Sequence, residues 1–170
     1  YRRIPYAGGE NPCFSQSILY LMPLQLTQIC TSPPTPVADR LYLTADDRQR
    51  SLGQGTSAQG VFYQWRLPRG TVLWSESYLG TPQGDRWVQI LASPEPVLTV
   101  TSSDPLHLLQ AAYHLGNRHV ALEITLHYLR LSPDPVLLHL LRDHLQMTVV
   151  EEVAPFFPLL GAYHSHHSHS

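Results

Sequence analysis

The residues best suited to chemistry in this chain are its imidazoles. Ten histidines stand against two cysteines, Cys13 and Cys30, so a transition metal would be met by nitrogen donors rather than thiolates. His114 and His119 flank a short polar stretch, His114-Leu115-Gly116-Asn117-Arg118-His119, where an apolar helical pattern runs out and a second apolar run begins. Gly116 is predicted to stop the helix there and to make a backbone-defined corner from which an imidazole projects. His119, on the irregular or strand-starting side of that corner, is the candidate ligand for Ni, Cu or Zn. His114, one turn from the helix end, is read as a capping or packing residue that favours the negative pole of the helix. Asn117 and Arg118 are expected to fix the corner by hydrogen bonds.

One imidazole does not hold a transition metal tightly, because four to six donors are usually wanted. Two sources of further donors are visible. Closed two-fold pairing would place two copies of His119 side by side. The C-terminus supplies His164, His166, His167 and His169, interleaved with serine and followed by no apolar residue, a segment expected to be disordered without metal. The interleaving also separates it from an affinity tag, which is usually an unbroken run. His107, His127, His139 and His144 carry little specificity. On a regular helix His139 and His144 lie about 140° apart, so they are not expected to chelate jointly.

Other chemistries are thinly represented. No GxSxG, HExxH, P-loop or strand-following GxGxxG occurs, and all eleven cationic residues are arginine, which removes a Schiff-base or P-loop lysine. The chain is therefore expected not to be an enzyme. The rival reading, a metal-dependent hydrolase on His114 and His119, would need a carboxylate or third histidine in the same chain and an open pocket. A third reading is a peptide-binding quality-control module with incidental metal. A formal charge of −2 gives no basic field for nucleic acid or anionic membranes, and no run approaches a membrane span. Two cysteines without CxxC suit a reducing cytoplasm.

The elements that must position the corner follow from periodicity and turn chemistry. Residues 1–21 read as an upstream extension, with Met22 resembling a native start. Leu24, Leu26 and Ile29 begin a strand pattern, interrupted by the proline loop Ser32–Pro36. Leu41–Thr44 favours a strand, and Asp46-Asp47-Arg48 a polar turn. Ser51–Gly60 is rich in Gly, Ser and Gln; Val61–Trp65, Thr71–Trp74 and Trp87–Leu91 are predicted strands, with turns at Pro68–Gly70 and Gly80–Gly84. After Pro96 the texture changes. Val97–Thr101 reads as a strand, Asp104-Pro105 starts a helix through Leu115, and Val120–Thr125 and Tyr128–Leu131 read as strands. Asp134-Pro135 then starts a helix over Val136–Leu145, and Thr148–Val153 is the last strand. The fold class is α+β: an N-terminal all-β domain, 22–96, then a ferredoxin-like βαββαβ domain, 97–163, and the His-rich tail, 164–170.

The run Tyr113-His114-Leu115-Gly116-Asn117-Arg118-His119, after Ala-Ala and before Val-Ala-Leu, resembles the signature of the urease accessory nickel chaperones, the UreE family. Leu67-Pro68-Arg69-Gly70-Thr71-Val72-Leu73, Ser93-Pro94-Glu95-Pro96-Val97-Leu98 and the closing Gly161-Ala162-Tyr163 before the histidines are similar to the same family. The resemblance covers roughly residues 22–170. It implies a peptide-binding-like β-domain and a homodimer, with dimer or tetramer in the presence of metal left open, that holds Ni²⁺ (Zn²⁺ or Cu²⁺ substituting) at His119. It also implies delivery to the urease apoprotein alongside the other accessory proteins, including the GTPase. Relatives often carry His-x-His at the start of the second helix. Here Pro133-Asp134-Pro135 stands in its place, so that auxiliary site is expected to be absent.

Overall fold

The computed structural model describes residues 22–32 and 36–159. The expectations for residues 1–21, for residues 33–35 of the proline loop and for the histidine tail lie outside the described residues. Two packed units follow one another along the chain.

The first contains β1 (Leu24–Leu26), β2 (Gln28–Cys30), β3 (Asp39–Leu43), α1 (Ala45–Arg48), β4 (Leu52–Thr56), β5 (Phe62–Arg66), β6 (Tyr78–Gly80) and β7 (Trp87–Ala92). They form a three-stranded sheet, β1-β5-β4, and a four-stranded sheet, β2-β6-β7-β3. Leu26, Leu41, Leu43, Tyr63, Trp65, Leu73, Leu79, Val88 and Ile90 pack into one buried cluster. β3 and β5 alternate inward and outward residues, β3 with buried Asp39, Leu41 and Leu43, whereas β6 is buried at all three positions.

Three local expectations are corrected here. The Gly-rich stretch after Ser51 contains a real strand, β4, paired antiparallel with β5. Its glycines serve packing: a Cβ on Gly53 would lie 2.1 Å from Cζ2 of Trp65, so only a bare backbone admits the indole. Asp46-Asp47-Arg48 belongs to a helical turn capped by Thr44, whose hydroxyl accepts from the Asp47 N–H. Thr71–Trp74 forms no strand; Leu73 is buried and donates its N–H to the Arg48 carbonyl, while the strand in this region is β6.

The second unit runs β8 (Pro94–Thr101), α2 (Pro105–Gly116), β9 (Glu123–Ile124), β10 (Leu129–Leu131), α3 (Pro135–His139), a π-helical turn (Leu140–His144) and β11 (Thr148–Pro155). The sheet order is β11-β8-β10-β9, with every neighbouring pair antiparallel. Leu98, Val100, Leu129 and Leu131 from the sheet meet Leu108, Ala111 and Leu115 of α2 and Leu141 of the π turn in one cluster, so both helical segments cover the same face. Both Asp-Pro starts behave as read. Asp104 accepts from the Leu106 N–H, and Asp134 from those of Val136 and Leu137, with proline at the first helical position each time. The second helix, expected to be regular over Val136–Leu145, instead widens after His139: the Leu145 N–H reaches back five residues to the Leu140 carbonyl.

The units are joined by more than their linker. Ala45, Val97 and Phe156 form a small cluster of their own. The Ala45 N–H donates to Glu95 at 2.7 Å, the buried Arg48 donates to the Phe156 carbonyl, and the Arg48 guanidinium stacks 5.2 Å from the centre of the Phe157 ring. Burial holds the Arg48 pKa below its ordinary value, against the opposing pull of Glu95 and Glu123.

Candidate functional site

The corner that carries His119 is a helix C-terminus closed by backbone. The Val120 N–H donates to the Leu115 carbonyl (3.2 Å) and the His119 N–H to the Gly116 carbonyl (2.9 Å), the paired bonds of a Schellman motif. Val120 packs into the cluster that contains Leu115, the hydrophobic contact that accompanies such a cap. The residue that turns the chain is His119, at φ 57°. Gly116 was expected to break the helix and does not: it is the last residue of α2, and a Cβ there would meet nothing within 4 Å. The reason is positional. The left-handed residue of this motif comes three positions after Gly116, and histidine is among the non-glycine residues that tolerate that region best.

His119 is exposed, and its backbone is fixed by the two helix-closing bonds. Arg118 reaches back to donate to the His114 carbonyl at 2.8 Å, satisfying an acceptor that the helix end leaves over. Asn117 donates its own N–H to the Tyr113 carbonyl. His114 is half-buried with its ring edge-on to that of Tyr113, centroids 5.7 Å apart. Among the described residues no group of three or more His, Cys, Asp or Glu side chains is arranged to hold a metal, so His114 and His119 have no third donor there. His164, His166, His167 and His169 lie outside the described residues.

Two further features lie near the corner, the first not legible in the sequence and the second legible in its spacing. The first is a strap, Phe156–Leu159, that returns from β11 toward the residues following His119. The Phe157 N–H donates to the buried Glu123 carboxylate (2.9 Å) and the Leu159 N–H to the Leu122 carbonyl (2.7 Å). Glu123 also accepts from the Tyr128 hydroxyl (2.8 Å) and faces Arg130 at 3.6 Å, while the Arg130 guanidinium lies 4.7 Å from the Tyr128 ring centre. The hydrogen bond to Glu123, then burial, raises the Tyr128 pKa. The second feature is an exposed apolar stripe on α2, Leu106, Leu109 and Tyr113, each more than 60% exposed and spaced three and four residues apart. The spacing was readable; its outward direction was decided by Leu108, Ala111 and Leu115 taking the core.

His139 and His144 correct an expectation. The π turn carries the chain through five residues per hydrogen-bonded loop, bringing the two rings edge to face with centroids 5.1 Å apart. Asp143, four residues on, contacts Nδ1 of His139.

Among the described residues no helix is long and apolar enough to cross a membrane. Together these elements define a two-domain α+β protein whose candidate site residue, His119, stands outward on a backbone-closed helix corner. The model of the N-terminal domain of the UreE urease accessory protein matches residues 24–86, and that of its C-terminal domain matches residues 95–170. A urease accessory protein UreE of Microcystis aeruginosa is 50% identical over 135 residues, covering 79% of this chain and 84% of its own. That of a Nostoc species is 46% identical over 147 residues, 86% of this chain and 99% of its own. The chain belongs to the UreE family of urease accessory proteins.

Proposed function

We propose that this protein serves urease maturation as a nickel-binding metallochaperone of the cytoplasm, acting as a homodimer that carries Ni²⁺ between two copies of His119 with help from His164, His166, His167 and His169. The observation that carries the reading is the corner itself: an exposed imidazole whose backbone is fixed by two hydrogen bonds and held at positive φ. A rigid lone imidazole gains a second donor by two-fold pairing without any rearrangement of its own chain. The stripe Leu106, Leu109 and Tyr113, on the helix that leads into the corner, offers apolar surface for such pairing.

The strap supports a role for the tail. From Leu159, bonded to Leu122, His164 is five residues away, at most about 18 Å of chain, and His119 is three residues from Leu122, at most about 11 Å. Tail imidazoles therefore fall within reach of the corner on their own chain. Imidazole ligands suit delivery because they release metal as they protonate near pH 6–7. In this reading nickel is cargo, Zn²⁺ and Cu²⁺ compete for the same nitrogens, and the recipients are the urease apoprotein and its accessory partners, including the GTPase.

The domain division at residue 96 and the ferredoxin-like assignment belong to the same proposal, the latter supported by the βαββαβ element order with antiparallel sheet order β11-β8-β10-β9. The test is Ni²⁺ calorimetry with mass measurement in solution. The proposal expects dimers and about half an equivalent of tight metal per chain; a monomer binding one tight equivalent would overturn it.

A further inference from the structure

We propose that His139 and His144 form a second metal site, weaker than the His119 site and independent of it, which takes a late first-row divalent ion on the surface of the second helix. The proposal rests on the juxtaposition created by the π turn. In a regular helix these residues diverge by about 140°, and no ion would reach both. Here the widened turn sets their ring centres 5.1 Å apart. An imidazole nitrogen lies about 1.1 Å from its ring centre, so with metal–nitrogen bonds of about 2.0–2.1 Å each centre would stand about 3.2 Å from a shared ion. Centres 5.1 Å apart then subtend about 105° at the metal, between the octahedral and tetrahedral angles. The separation needs no backbone change. The rings stand edge to face, and the exposed ring of His144 is free to turn about χ2 and present a nitrogen while His139 keeps its Nδ1 on Asp143.

Asp143 decides which nitrogen of His139 is offered. Its carboxylate contacts Nδ1, so that nitrogen carries the proton and Nε2 is left as the donor. A carboxylate behind a ligating histidine fixes the tautomer and raises ligand basicity. The site thus has two protein donors and one positioning carboxylate, with water completing the shell, which sets it below a three- or four-ligand site in affinity. The π turn that creates the pair is also of a kind found frequently at functional sites. The ions that fit two imidazoles are Ni²⁺, Cu²⁺ and Zn²⁺.

The test uses the full-length chain with His119→Ala, His164→Ala, His166→Ala, His167→Ala and His169→Ala combined, so that the proposed delivery site and the tail contribute nothing. Calorimetry with Ni²⁺ and Cu²⁺ is expected to find about one weak site per chain, and paramagnetic broadening of imidazole resonances to fall on His139 and His144 first. Adding His139→Ala or His144→Ala should remove that binding. Asp143→Asn should weaken it by about tenfold or more. His107→Ala and His127→Ala, on other elements, should leave it unchanged. No binding in the five-fold variant, or binding lowered equally by His127→Ala, would overturn the proposal without touching the reading of His119. His119, His127, His139, Asp143 and His144 are exposed and His107 is half-buried, and circular dichroism of each variant checks that folding does not confound the comparison.

Discussion

The sharpest test of the corner substitutes His119 in two ways that separate metal from stability. At φ 57° any side chain with a Cβ strains the backbone by about 1–2 kcal/mol, a cost that glycine avoids. Glycine loses about 0.5–1 kcal/mol of that advantage through the extra freedom of its unfolded chain. His119→Gly should therefore stabilise the apo-protein by about 0.5 kcal/mol, equivalent to about 2–4 °C in Tm for a unit of this size. His119→Ala keeps the strain and removes an exposed ring, so it should change stability by no more than about 0.5 kcal/mol in either direction. Both should abolish the proposed tight Ni²⁺ site, because in the proposed two-fold dimer one substitution deletes two ligands. Differential scanning calorimetry of the apo-proteins and Ni²⁺ titration of the same samples provide the readouts. If His119→Gly melts well below the parent, the left-handed corner is misassigned. If either variant retains the tight site, His119 is not the anchoring ligand.

Gly116→Ala should raise stability by up to about 1 kcal/mol with metal binding intact, since the added methyl meets open space and helix propensity favours alanine; a loss on thermal melting would mean that Gly116 is needed for the turn after all. Asp39→Ala should cost about 3 kcal/mol on denaturant titration. Asp39 is buried, accepts from Ser57 and from the Tyr63 hydroxyl, and Arg86 donates to that same hydroxyl, so its removal leaves buried polar groups unpaired. Glu123→Ala should cost about 2 kcal/mol and speed hydrogen exchange at the Phe157 and Leu159 amides, because it releases the strap; unaltered exchange there would show that the Leu122 bond and Phe156 hold it alone. Replacing His164, His166, His167 and His169 together by alanine should reduce the metal bound per dimer, by mass spectrometry under native conditions, and leave the melting temperature of the apo-protein unchanged.

What could be read directly were features whose cause is local. Asp104-Pro105 and Asp134-Pro135 announce helices because the cap is a bond between neighbours and the proline sits where no N–H is needed. The buried face of α2, Leu108, Ala111 and Leu115, follows from helical periodicity. The motif around His119 was equally plain, and so was the division into a β-rich half and a half with two helices. Within the motif the left-handed residue was misread. Glycine is the usual choice at such a position, yet the spacing of the Schellman bonds assigns it to His119.

The remaining features depend on contacts distant in sequence. The Gly-rich stretch after Ser51 gave no strand signal, because Gly53 is there to leave room for the indole of Trp65 and Gly55 lies close to Leu41. Arg48 looked like part of a polar turn, but its carbonyl partner and ring partner, Phe156 and Phe157, lie more than a hundred residues away. The widening after His139 is likewise invisible to a 3.6-residue pattern, because it is set by Leu141 and Met147 seating in the core while the backbone between them bonds five and six residues back. The sequence by itself therefore determined the helix caps, the amphipathic faces and the family motif around His119, all short-range properties of neighbouring residues. Only the tertiary structure decided which residue turns the corner, where the strap returns and which two histidines meet, because packing sets the backbone geometry on which those distances depend.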